Sequence, residues 1–471
     1  MIVRSHRVVL PDGVRPATIH IQDGRITHIG PYEDWRDVDD SWSASAERYD
    51  ASDLVVSPGI LDTHVHVNEP GRTDWEGFDT AARAAAKGGV TTIVDMPLNS
   101  VPATTTASAL EAKRSAARGQ CHVDVAFWGG VVPGNASDLD ALVDAGVRGF
   151  KCFLVPSGVE EFPAVDERDL RAALPIIARR DVPLLVHAES PSLINPPERA
   201  SALRQAQGRP QHRRGTARQA EATYQTYLAT RPPEAEVDAI RMIARLAQEF
   251  SARVHIVHVA SAEAAGEVAR AKADGVAITA ETCPHYLTFA AEDVPEGATE
   301  FKCAPPIREA RHRDALWSAL SRGTLDLIAT DHSPAPPVLK CPGDFMKSWG
   351  GIASLELSLA AVWTAHQALS VEPSELSLDL GAVARWMSEA PAKLAGLADR
   401  KGRIAAGYDA DLIVWDPDVE WTVEPAELQQ RHKLTPYAGH RLRGRVRTTF
   451  VRGVGVWRDE RLVAAGLGRF L

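Results

Sequence analysis

The sequence predicts an α/β fold: a (β/α)8 TIM-type barrel with a small β-sandwich domain formed by the N- and C-terminal segments. Two observations carry this. Between about residue 58 and residue 400, short apolar runs alternate with Ala-rich helical stretches, the pattern of a parallel sheet with crossover helices. Outside that span, apolar and polar residues alternate between turn signals without helical periodicity, which marks short antiparallel strands.

In the first segment, residues 1–57, the turn signals are Pro11-Asp12-Gly13 and Asp23-Gly24. After Ser57-Pro58-Gly59 come eight strand candidates: Gly59 to His66, Val90 to Pro97, Val123 to Val131, Gly149 to Leu154, Pro183 to Glu189, Arg253 to Val259, Ala277 to Pro284, and Leu325 to Ser333. Thr80 to Lys87 and Ala262 to Ala273 read as helices between them. A barrel of this kind builds its active site at the C-terminal ends of the strands. In residues 401–471, turns at Gly402, Gly407-Tyr408-Asp409 and Gly453 flank runs such as Ala410 to Trp415 and Thr448 to Val451. The expected domains are therefore 58–400, and one β module made from 1–57 and 401–471.

Two stretches interrupt the barrel pattern. Residues 190–236 carry Pro196-Pro197 and a basic, Gln-rich segment, Gln205 to Arg218, longer than a normal βα loop. It reads as a lid over the mouth or as a subunit contact. Pro334 to Gly351 follows the eighth strand, where substrate loops often lie.

The chain has 471 residues, 45% of them apolar, and a formal charge of −10, which argues against nucleic acid as a partner. The cysteines Cys121, Cys152, Cys283, Cys303 and Cys341 are odd in number and widely spaced, as expected of reduced thiols in a cytoplasmic protein. Met1-Ile2-Val3-Arg4 places charge where a signal peptide is apolar, and no window approaches the roughly 18 apolar residues of a membrane span. A cytoplasmic location without membrane partners is the expectation.

The chemistry begins at His64-Val65-His66. Residues two apart on an extended backbone share a face, so these imidazoles form either a metal pincer or an ordinary polar pair at a strand end. Later strands return further ligand types. His187 ends the apolar run of strand five, His258 that of strand six, and Asp331 that of strand eight. Four His and one Asp at the ends of four strands converge on one mouth, which favours the metal site. His255, three residues before His258, is expected on the other side of its strand as a structural histidine. Lys151 in strand four reads either as a salt-bridge partner or as an amine whose pKa burial depresses. In the second case, addition of CO2 gives an anionic carbamate able to bridge two metals.

The ordered set His64, His66, Lys151, His187, His258 and Asp331 resembles the binuclear cyclic amidohydrolases of the amidohydrolase superfamily. The resemblance implies two divalent metal ions, zinc first with iron, cobalt or manganese as alternatives, bridged by N6-carboxylated Lys151 and a hydroxide. The strand-one His pair and Asp331 would hold one ion, His187 and His258 the other. Dihydroorotases of that group carry an Arg where this chain has Asn68, and hydantoinases a Tyr where it has Pro156. The remaining likeness is to the allantoinase branch. It is seen in Asn68 to Phe78, Lys302 to Arg308, Gly343 to Ile352 and Lys433 to Gly439.

That branch implies hydrolysis of the hydantoin-ring amide of allantoin to allantoate, a step of purine catabolism. A bridging water of pKa lowered from 15.7 towards about 7 serves as the nucleophile, and Asp331 as general acid/base. Asn99 and Ser333 are candidates for substrate hydrogen bonds or simple turn residues. His285 and His332 are expected to support the ligands. A homotetramer is the assembly the relatives imply. The alternative enzyme is a hydantoinase or dihydropyrimidinase. The alternative of another class is a catalytically silent scaffold, opposed by the presence of all six ligand positions.

Overall fold

The computed structural model describes residues 1–34, 47–195, 222–368 and 379–471. The segment Gln205 to Arg218 lies outside the described residues.

The chain begins with the antiparallel strands β1 (Ile2–Leu10), β2 (Gly13–Gln22) and β3 (Arg25–Gly30). Asp23 and Gly24 both adopt positive φ, 51° and 79°, as a two-residue turn between twisted strands requires. β4 (Arg48–Asp50) and β5 (Val55–Pro58) then run parallel to β1.

All eight barrel strands expected from the apolar runs are present. They are β6 (Ile60–Val65), β7 (Val90–Asp95), a third strand in two halves, β8 (Asp124–Phe127) and β9 (Gly129–Gly130), then β10 (Phe150–Phe153), β11 (Leu184–His187), β12 (Val254–Ile256), β13 (Ile278–Thr282) and β14 (Leu327–Ile328). β6, β7 and β8 pair in parallel, as do β9 through β14 in order. The two halves of the third strand join these sheets. The last seam closes on the ligand motif itself: the His66 amide donates to the His332 carbonyl at 2.8 Å, and the His332 amide to the His64 carbonyl at 3.2 Å.

Crossover helices cover the barrel where the sequence is Ala-rich, as in Phe78–Gly88 and Ala262–Ala273. The second shows why such a segment is helical. Ser261 caps it by accepting from the Ala264 amide, Glu263 sits in its first turn and Arg270 and Lys272 in its last. Its buried face, Ala264, Ala265, Val268 and Ala271, packs into the main core. Full burial of a Val or Leu side chain is worth about 1.5–3 kcal/mol.

At the C-terminus, β15 (Leu412–Thr422), β16 (Arg441–Val451), β17 (Val454–Arg458) and β18 (Arg461–Leu462) return to the first strands. β15 pairs antiparallel with β5, giving one nine-stranded sheet in the order β18-β17-β16-β15-β5-β1-β2-β3, with β4 beside β1. Val3, Val8, Ile19 and Ile21 from one end share a core with Leu412, Val414 and Phe450 from the other. Among the described residues, no helix is long and apolar enough to cross a membrane.

Candidate metal centre

His64 and His66 leave the end of β6 on the same face, and Asp331 arrives after β14 beside them. His64 Nε2 lies 3.1 Å and His66 Nε2 3.4 Å from Asp331 Oδ1. One ligand atom from each of these three buried residues falls within 4.8 Å of the others. Next to them, His187 at the end of β11 turns its Nδ1 to within 2.9 Å of His258 Nε2. Two lone-pair nitrogens approach so closely only with a proton or a cation between them. The His64 and His258 ring centroids are 5.5 Å apart, so the two halves form one cluster.

Lys151 lies in β10, fully buried, and among the described residues its Nζ has no hydrogen-bond partner. No described residue forms the salt bridge that was its alternative role; the ammonium rests 4.9 Å over the Phe153 ring. Burial pushes it down to about 8, against the pull of Glu281 and Asp331. His66 Nδ1 and His258 Nδ1 are likewise buried without partners. Imidazole nitrogens and a carboxylate, with a buried amine close enough to act on them electrostatically, suit divalent cations. The donor set therefore fits a binuclear metal centre.

Electrostatics keep the ligands in binding form. Burial lowers His66 to about 4 and moves His187 and His258 down as well, which favours the neutral, lone-pair form of these three imidazoles. Asp331 is held far below the ordinary carboxylate range, the neighbouring His64 and His66 outweighing its burial.

Backbone geometry at this rim was not legible in the sequence. His258 and Asp331 adopt φ of 43° and 48°, and Asn68 and Asn99 both 67°, a left-handed region that side chains other than glycine rarely enter. Because β12 ends at Ile256, strand parity no longer separates His255 from His258. His255 does not face away from the site: its Nε2 lies 3.0 Å from Glu281 Oε2, and Glu281 Oε1 lies 2.5 Å from His64 Nδ1.

Two further carboxylates, Glu281 and Glu189, stand behind the imidazoles. Glu189 Oε2 sits 2.7 Å from His187 Nε2 and also takes the Arg231 guanidinium. Burial of each carboxylate is outweighed, for Glu189 by Arg231 and His187 and for Glu281 by its two imidazoles, and both are drawn down to about 2. His187-Ala188-Glu189 repeats the two-residue spacing of His64-Val65-His66, the signal that would have found Glu189.

Of the remaining candidates, Asn99 and Ser333 are buried in the loops after β7 and β14. The Asn99 carbonyl accepts from Arg72 Nη1 at 2.8 Å, and the Ser333 amide donates to the Ile352 carbonyl at 3.0 Å. His332 Nδ1 accepts the Ser354 and Leu355 amides. His285 is buried with neither ring nitrogen partnered. Asn68 donates through Nδ2 to the Pro334 carbonyl at 3.3 Å.

The four sequence stretches that carried the resemblance meet around this mouth. Trp75 packs edge-on to Trp349 at 5.0 Å. Lys302 Nζ donates to the Ser348 carbonyl at 2.5 Å, and the Arg431 amide to Glu76 Oε1 at 3.1 Å. Thr435 Oγ1 donates to the Ala353 carbonyl at 2.7 Å. A second acidic group, Asp124, Asp409 and Asp411, lies at the other end of the barrel strands. Lys401, Arg400 and Arg452 neutralise it, which makes it an ion cluster.

Comparison with known proteins gives the same picture. A profile described as the Amidohydrolase family matches residues 55–456. An allantoinase of Streptomyces avermitilis shares 48% identity over 467 residues, covering 99% of this chain and 96% of that one. An allantoinase of Arabidopsis thaliana shares 40%, covering 96% and 87%. Among solved structures, L-hydantoinase from Arthrobacter aurescens superposes with a TM-score of 0.88 at 31% identity, covering 100% of this chain and 98% of that one.

Proposed function

Because the chain belongs to the amidohydrolase family, we infer that it hydrolyses the hydantoin-ring amide of allantoin, opening the ring to allantoate in purine catabolism. The observation that carries this reading is the convergence of His64, His66, His187, His258, Asp331 and Lys151 on one buried mouth, in a chain nearly half identical to an allantoinase.

The residues divide the work. His64, His66 and Asp331 would hold one divalent ion, His187 and His258 the other, zinc being the first choice for this donor set. Bound there, two such ions supply Lewis acidity at the ring carbonyl and lower the pKa of a shared water from 15.7 towards about 7. Lys151, buried and easily neutral, would add CO2 through Nζ, forming an N–C bond and losing a proton, and the resulting carbamate would supply anionic oxygen ligands to the centre. Asp331 takes the proton of the attacking water and delivers it to the departing ring nitrogen. Asn99 and Ser333 hold the ureido and ring amide groups of the substrate. The barrel, 58–400, is the catalytic domain, and the module of 1–57 and 401–471 is its support. A cytoplasmic homotetramer completes the proposal, and the five free thiols support a reducing compartment.

The test is a substrate panel on the purified protein, with elemental analysis of the same preparation. Allantoin is expected to be the fastest substrate, with loss of activity in strong chelator and recovery on adding a divalent metal. Faster hydrolysis of hydantoin or dihydrouracil would overturn the substrate assignment.

A further inference from the structure

We propose that Glu281 and Glu189 are positioning residues for the two halves of the centre, each fixing which nitrogen one imidazole presents and so setting the affinity of one ion independently of the other. This rests on the binuclear reading above.

The two halves share one asymmetry: one imidazole is gripped and the other is not. In the first half, Glu281 Oε1 lies 2.5 Å from His64 Nδ1 and leaves Nε2 facing Asp331 Oδ1 at 3.1 Å. Its companion His66 has no partner at Nδ1. In the second half, Glu189 Oε2 lies 2.7 Å from His187 Nε2 and leaves Nδ1 facing His258 Nε2 at 2.9 Å. His258 has no partner at Nδ1.

An ionised carboxylate only accepts, so the nitrogen facing it must carry the ring proton and the opposite one keeps its lone pair. The two grips select opposite nitrogens, Nε2 of His64 and Nδ1 of His187. A free imidazole has no such fixed preference.

Each carboxylate is also anchored by a cation or donor of its own. His255 Nε2 lies 3.0 Å from Glu281 Oε2, and Arg231, at the end of helix Tyr224–Thr230, binds Glu189 Oε2. Glu281 stands in β13 and Glu189 in the loop after β11, so the supports belong to different elements. Both carboxylates are fully buried, where the charge–imidazole interaction is not screened by solvent.

The experiment uses the full chain and its Glu189→Gln and Glu281→Gln variants, equilibrated in the same chelator-buffered zinc. Metal content is measured by elemental analysis and folding by thermal melts. Each variant is expected to bind one of its two ions about 10- to 100-fold more weakly and to keep the other at wild-type affinity. Which ion is lost is read by adding His258→Ala. Together with Glu189→Gln it should remove no further ion, since both act on the same half; together with Glu281→Gln it should empty both halves. Glu189→Asp and Glu281→Asp, which keep the charge but shorten the reach, are expected to weaken the same ions and serve if a Gln variant does not fold.

Wild-type affinity for both ions in both Gln variants, or loss of the same ion in each, would overturn the assignment while leaving the binuclear reading intact. A wild-type chain holding less than one ion overturns the binuclear reading and this assignment together.

Discussion

Asp331 Oδ1 lies 3.1 Å from His64 Nε2, although one residue follows the first barrel strand's apolar run and the other the last. The contact exists because the ends of those strands are stitched together by the reciprocal backbone bonds of His332 with His64 and His66. Asp331 thus sits beside two imidazoles that keep its carboxylate ionised, and its proposed role is to carry a proton to the departing ring nitrogen. Asp331→Asn removes the proton acceptor while keeping the shape. Allantoin turnover is expected to fall by about 10²- to 10⁴-fold in steady-state assays, with the melting temperature little changed. Turnover within a few-fold of wild type would remove Asp331 from the proton path.

Lys151→Ala is expected to lose bound metal and activity together, with partial recovery in millimolar acetate or propionate, whose carboxylates occupy the space of the missing group. The readout is metal content beside turnover. Wild-type activity without added acid would eliminate the carbamate.

The stretch Met346 to Gly351 is held by two buried lysines. Lys302 Nζ donates to the Ser348 carbonyl and Lys340 Nζ to the Gly351 carbonyl, each at 2.5 Å. Burial drives both ammonium groups down to about 8. Lys340→Met leaves that carbonyl without its donor at a cost of about 1–3 kcal/mol, and the loop carrying Trp349 is expected to loosen. Limited proteolysis should cut the variant first between residues 341 and 351, and KM should rise more than kcat falls. An unchanged cleavage pattern would argue that the lysine is dispensable.

At the other end of the barrel, Lys401 Nζ lies 2.8 Å from Asp124 Oδ2 and also binds Asp411. Lys401 and Arg452 outweigh the burial of Asp124 and hold its carboxylate below the ordinary 3.8, while Asp411 and Asp124 raise Lys401 above 10.5 despite its burial. An acid lowered on folding stabilises above its unfolded pKa, and a base raised on folding stabilises below its own. The Lys401 and Asp124 contributions are therefore both complete between pH about 4 and about 10 and fade outside that window. Lys401→Met leaves buried carboxylates short of a cation and is expected to cost about 3–5 kcal/mol at neutral pH. The deficit should shrink as the pH falls towards 4, because the carboxylates then take up protons. Urea unfolding at several pH values checks both the size and the sign.

Much of this molecule is written locally. The eight apolar runs, the Asp23-Gly24 turn and the helix Ala262–Ala273 each follow from a few adjacent residues, and each is found where the pattern placed it. The candidate positions His64, His66, His187, His258 and Asp331 were legible for the same reason: each is a polar residue at the end of an apolar run. Parity failed at His255, because the strand ends at Ile256, two residues before His258, and His258 turns left-handed.

The sequence by itself determined the alternation of strand and helix, and the order in which imidazoles, amine and carboxylate arrive at the strand ends. Only the tertiary structure decided which of them touch, which ring nitrogen each histidine presents, and that Glu281 and Glu189 stand behind two of them. Periodicity is a property of neighbouring residues, whereas the meeting of β6 with β14, or of Glu281 with His64, depends on strand stagger and barrel closure, which no local window contains.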